Sequence, residues 1–61
     1  MKIKEFFIHQ GWAIGFAEVR RYLDSGKVFL NGYGLTSVDD NLILHDGDSI
    51  QFGKREVIYH A

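Results

Sequence analysis

Cysteine and proline are both absent from the 61 residues, methionine and tryptophan occur once each, and neither sign of charge dominates, the net charge being −1. Without cysteine there is neither a disulfide framework nor a thiolate metal site, so a chain near the lower size limit must fold on packing alone. No proline-marked linker, internal repeat or low-complexity tract interrupts it, and residues 1–61 read as a single domain. No apolar run approaches the roughly 18 residues of a membrane span, and no secretory leader pattern opens the chain, so the expectation is a soluble, cytoplasmic domain with no membrane partner. No nucleophile stands beside a base, and so small a domain leaves little room for a pocket. Neither an enzyme, a cofactor nor a small-molecule substrate is expected.

What is present is 46% hydrophobic residues and nine aromatics, enough for a small core. The charges are segregated. Residues 1–34 carry five bases against three acids, for a net +2. Residues 35–48 hold Asp39, Asp40, Asp46 and Asp48 with no lysine or arginine, a net −4, and Lys54, Arg55 and Glu56 give the remainder +1. A dipolar chain of this kind can present a basic face despite its acidic sum.

The period of the apolar residues assigns the elements. Ile3, Phe6 and Phe7 at i, i+3 and i+4 predict a helix from about Lys2 to Gln10, with Gly11 as its left-handed cap. Phe16, Val19 and Leu23 line one face of a second helix over Phe16 to Asp24, closed by Gly26, with Arg20 and Arg21 off that face. The pattern then alternates. Val28 and Leu30 point one way, Lys27, Phe29 and Asn31 the other, and Asn31-Gly32 predicts a hairpin returning through Leu35-Thr36. Ser49 to Phe52 and Glu56 to His60 read as two further strands joined at Gly53-Lys54-Arg55. Two helices followed by a small, mostly antiparallel sheet make an α+β fold. Phe6, Phe7, Trp12, Phe16 and Phe52 are expected in the core, and Tyr22, Phe29 and Tyr33 partly exposed.

Candidate chemistry centres on the bases. Arg20, Arg21 and Lys27 follow one another closely, and Lys54 and Arg55 occupy the later hairpin tip. Guanidinium groups bind phosphate in bidentate fashion, and lysine adds mobile charge. Tyr33 at a hairpin tip is placed to stack on an unpaired base. His9, His45 and His60 lack metal-ligand spacing, and Asp39-Asp40 and Asp46-Gly47-Asp48 lack the twelve-residue calcium loop, so turn chemistry accounts for these aspartates.

Glu18-Val19-Arg20-Arg21-Tyr22-Leu23, then Ser25-Gly26-Lys27-Val28-Phe29-Leu30-Asn31-Gly32, and finally Leu44 with Gly47-Asp48-Ser49-Ile50, resemble in order and spacing the S4-type RNA-binding domain. That module occurs in small-subunit ribosomal protein S4, bacterial tyrosyl-tRNA synthetases and pseudouridine synthases. The resemblance runs from Met1 to about Tyr59 and implies the αL motif, two helices packed on a small curved sheet. It also implies a role in translation, binding structured RNA (ribosomal or transfer RNA) with Arg20, Arg21 and Lys27 on phosphates and Asn31 shaping the turn. Where the family often has Ser-Arg-Ser, this chain has Gly15-Phe16-Ala17, and the segment after the Asn-Gly turn is acidic. A ribonucleoprotein or protein partner is expected alongside the RNA, and an alternative stands beside RNA binding: a protein-interaction domain that kept the fold and lost the RNA surface.

Overall fold

A computed structural model describes residues 1–61. Helix α1 spans Ile3–His9, and its spacing works as the sequence requires, with Ile3, Phe6 and Phe7 all buried. The Lys2 N–H donates to Glu5 Oε1 at 2.9 Å, supplying an acceptor for the chain just ahead of the first turn. Gly11, at φ 75, ends it in the left-handed conformation that a Cβ would penalise. Helix α2 spans Phe16–Asp24 and buries Val19 and Leu23 completely. Its entry residue Gly15 has no side chain to cap with, and Glu18 folds back instead, its Oε1 accepting the Ile14 N–H at 3.1 Å.

Strands β1 (Val28–Leu30), β2 (Tyr33–Gly34), β3 (Ser49–Phe52) and β4 (Arg55–Ile58) form one antiparallel sheet in the order β2-β1-β3-β4. Val28 pairs with Phe52 and Leu30 with Ile50, which puts these four on the face toward the helices. A 3-10 turn, Ser37–Asp39, links β2 back to α2. Ten apolar residues make the core, with Phe7, Ile3, Leu23, Ile50, Val19 and Val28 the largest that are wholly shielded. Each such side chain contributes about 1.5–3 kcal/mol of transfer free energy. Rings bridge the layers: Phe7 to Phe52 at 5.3 Å between centroids, Phe7 to Trp12 at 5.2 Å and Tyr22 to Phe52 at 4.9 Å.

The fold is α+β, with both helices N-terminal to the sheet. Three expectations are corrected. The hairpin returns through Tyr33–Gly34 and not Leu35-Thr36, because Asn31 (φ 50) and Gly32 (φ 87) form a two-residue turn that pairs Leu30 with Tyr33. Leu35 still donates to the Val28 carbonyl at 2.9 Å before turning into the core, while the Thr36 N–H is taken by Asp39 Oδ2 at 2.9 Å to start the 3-10 turn. Arg55 belongs to β4 opposite Phe52, so the last turn is Gly53-Lys54 alone and the strand ends at Ile58. Phe16 is not core. It sits at the first position of α2, half of it is exposed, and Lys4 Nζ stands over its ring.

Candidate nucleic-acid interface

Burying Val19 and Leu23 fixes the rotation of α2, and the opposite stripe is therefore delivered to solvent. Arg20 and Arg21 lie on it, and with Ala17, Asp24, Ser25 and Ser37 they line an open depression of about 430 Å³. Arg20 is 62% exposed and its Nε lies 3.9 Å from Asp40 Oδ2. Arg21 has no carboxylate within 4.0 Å. Asp24, one turn after Arg20, accepts the Ser37 N–H at 2.8 Å and so pins the 3-10 turn against α2. That backbone bond, followed by one from the Ser37 hydroxyl, holds the Asp24 carboxyl below its ordinary value against an opposing effect of desolvation, with the Arg20 charge contributing least.

Three further cations, Lys27, Lys54 and Arg55, gather at one end of the sheet. Gly26, at φ 79, turns the chain out of α2 so that Lys27 opens β1 directly. The Lys27 carbonyl accepts the Gly53 N–H at 3.0 Å, which sets Lys27 beside the Gly53-Lys54 turn. Arg55 stands across from Phe52, on the helix side of the sheet's outer strand, and the Phe52 ring reaches Tyr22 next to Arg21. Arg21, Lys27, Lys54 and Arg55 are all exposed. The chain path thus carries the basic residues from the α2 stripe through its C-terminal end to the β3–β4 turn.

Asn31 and Tyr33 lie elsewhere. They sit at the far end of β1, about 13 Å along the strand from Lys27. The Asn31 amide is committed within the molecule: Nδ2 donates to Asp48 Oδ1 at 3.1 Å, and Oδ1 accepts the Ser49 N–H at 2.9 Å. Asp48 also takes the His45 N–H at 2.8 Å, the first cause of its lowered pKa, with the Asn31 bond second. The Asn31-Gly32 and Gly47-Asp48 pieces are thereby one structural unit, and Asn31 shapes the sheet end. Tyr33, 79% exposed at the hairpin tip, stands apart from the basic cluster.

The disposition of charge resolves the acidic sum. Six of the eight carboxylates accept a backbone N–H: Glu5, Glu18, Asp24, Asp39, Asp46 and Asp48. Glu56 takes the Ser49 hydroxyl at 3.1 Å. Only Asp40 lies within 4.0 Å of a lysine or arginine, and of those seven cations Arg20 alone has a carboxylate partner. The acids mostly secure turns; Arg20 apart, the lysines and arginines are left without a carboxylate.

Sequence reasoning did not find Ser25, Ser37, Asp40 or the contact of Lys4 Nζ with the Phe16 ring, 4.8 Å from its centroid. The i, i+4 spacing of Phe16, Arg20 and Asp24 was the available signal for one stripe on α2. Ser37 and Asp40 arrive by tertiary packing and leave no local trace. Comparison of the chain with protein-family models, curated proteins and solved structures returned no match.

Proposed function

We propose that this domain is a non-enzymatic module that binds the phosphate backbone of structured RNA, ribosomal or transfer RNA, in the cytoplasm as part of the translation apparatus. The observation that carries the reading is the unequal use of charge: nearly every carboxylate is engaged by backbone or hydroxyl donors while six of seven cations have no acidic partner. Free guanidinium and ammonium donors on an exposed stripe suit phosphate oxygens. The likeness of residues 18–32 and 44–50 to the S4-type pattern supports the same assignment. Arg20, Arg21, Lys27, Lys54 and Arg55 are the contacts, with Asn31 structural and Tyr33 a separate, outlying ring.

With four or five phosphate contacts, log K against log salt falls with a slope of about −3 to −4.5. The double variant Arg20→Ala/Arg21→Ala weakens binding to every structured RNA alike and flattens the slope. Anisotropy titrations of a labelled RNA hairpin across a salt series measure both, and an unchanged slope removes the α2 stripe from the interface. A second reading, a protein-docking domain on the same fold, is favoured by the Asp40 carboxylate beside Arg20. Recovery of a defined protein partner, with no RNA shift at low salt, selects it.

A further inference from the structure

Phe16 is an aromatic ring outside the core that lies one turn ahead of Arg20 on α2. Lys4 Nζ stands over the ring at 4.8 Å from its centroid, within cation–π range. The Lys4 N–H in turn donates to the Asp40 carbonyl at 3.3 Å, so Lys4, Phe16, Arg20 and Asp40 are contiguous. Arg20 follows Phe16 by four residues, just over one turn or about 6 Å along α2. Beside the ring, Ile8, Ile14 and Gly15 complete a shallow apolar depression of about 270 Å³, and Ile14 is 93% exposed.

The chemistry of that neighbourhood selects its occupant. At roughly 150–200 Å² for a large side chain, the exposed parts of Ile8, Ile14 and Phe16 come to on the order of 300 Å². A stable protein interface needs about 800 Å² on each side, and a partner's apolar segment laid here would also have to desolvate Lys4 and Arg20. A nucleobase has the opposite requirements. It is planar, it needs one ring face, and it arrives tethered to a phosphate that the adjacent cations attract.

We infer that Phe16 is a stacking platform for one unpaired nucleobase, with Arg20 holding a phosphate of the same strand and Lys4 closing the other side of the ring. The inference rests on the RNA-binding reading and sharpens its substrate class: structured RNA carrying a bulged or looped-out nucleotide, not an uninterrupted duplex. Bases within a duplex have no free face to offer, whereas an extruded base does.

Three RNA hairpins test it: one fully paired, one with a single bulged nucleotide, and one with an abasic site at the bulge. Wild-type protein binds the bulged hairpin about tenfold more tightly than either of the others. Phe16→Ala erases that preference while leaving affinity for the paired hairpin and the salt slope unchanged, and Phe16→Tyr retains it. A thermal melt of Phe16→Ala matching wild type shows that the fold is intact. Equal binding of all three RNAs by wild type, or an equal loss on all three in Phe16→Ala, overturns the platform; if Arg20→Ala/Arg21→Ala still weakens the paired hairpin, the backbone reading survives that result. No binding to any hairpin overturns both. Loss of a self-association in Phe16→Ala, with RNA binding untouched, overturns the platform in favour of a protein contact.

Discussion

At the scale of single residues, the side chains that organise this molecule are short and polar, and most of them act on backbone. Asn31 combines two tasks. Its φ of 50 lets the hairpin turn, and its amide ties β1 to Asp48 and Ser49. Asn31→Gly removes the tie but keeps the turn; Asn31→Ala removes the tie and adds a left-handed penalty of roughly 1–2 kcal/mol. Urea midpoints are expected to rank wild type, then Asn31→Gly, then Asn31→Ala, and equal midpoints for the two variants would show that the φ is not held. Asp24 and Asp48 are tested by pH. Both carboxyls titrate below the ordinary value of about 3.9, each chiefly through a backbone N–H bond, from Ser37 and His45 respectively. Because the folded pKa lies below the unfolded one, the unfolded chain takes up these protons first. Their stabilisation is therefore whole above about pH 4 and is lost as pH falls through the lowered values. Asp24→Asn and Asp48→Asn should be less stable than wild type at neutral pH, and the gap should close in acid. A gap that stays constant with pH would mean that the charge contributes nothing.

Elements are where the sequence was most legible, and the reasons are specific. Helix α2 was bounded correctly because three independent signals agree there: the Phe16, Val19, Leu23 spacing, the run of helix-tolerant residues and Gly26 at φ 79. The same spacing misplaced Phe16. A periodic pattern states which residues share a face, and it says nothing of how deeply each is buried. Strand β2 was misread because the two-residue turn sets its register by geometry, after which Thr36 is drawn into a cap that depends on Asp39. Of the candidate site, the run of α2 cations was legible, whereas Lys27 beside the Gly53-Lys54 turn and Asp40 beside Arg20 were not, since strand pairing and the packing of the 3-10 turn on α2 create them. The contrast between a buried and a half-exposed position of the apolar α2 face is measurable. Leu23→Ala, at a position with no exposure, should cost about 2–5 kcal/mol, which is most of the roughly 3–9 kcal/mol that a chain of this length ordinarily has. Phe16→Ala should stay within about 1 kcal/mol of wild type, and circular-dichroism melts of the two variants give the comparison.

For the whole molecule, a net charge of −1 and the proposed phosphate-binding face are compatible because charge at a distance is screened while contacts are not. At physiological ionic strength the Debye length is about 8 Å, so a phosphate on Arg21 or Lys27 responds to its neighbours more than to the total. Asp40 is the exception that matters. It is the only carboxylate whose side chain makes no hydrogen bond to backbone or hydroxyl, and its sole partner is Arg20 at 3.9 Å. Its backbone, by contrast, is fixed through the Lys4 N–H, so the side chain can be changed without disturbing the chain path. An acid in that position competes with phosphate for the Arg20 guanidinium. Asp40→Asn removes the competitor and brings the net charge to zero. Exposed ion pairs are worth about 0.2–1 kcal/mol, so RNA affinity should rise about two- to fivefold at low salt, with stability shifting by no more than about 0.5 kcal/mol. In an Arg20→Ala background the same substitution should gain much less, because the group it releases is gone. Affinities of the four proteins on one hairpin close the cycle; a gain of equal size with and without Arg20 would trace the effect to bulk charge and leave Asp40 no role at the interface.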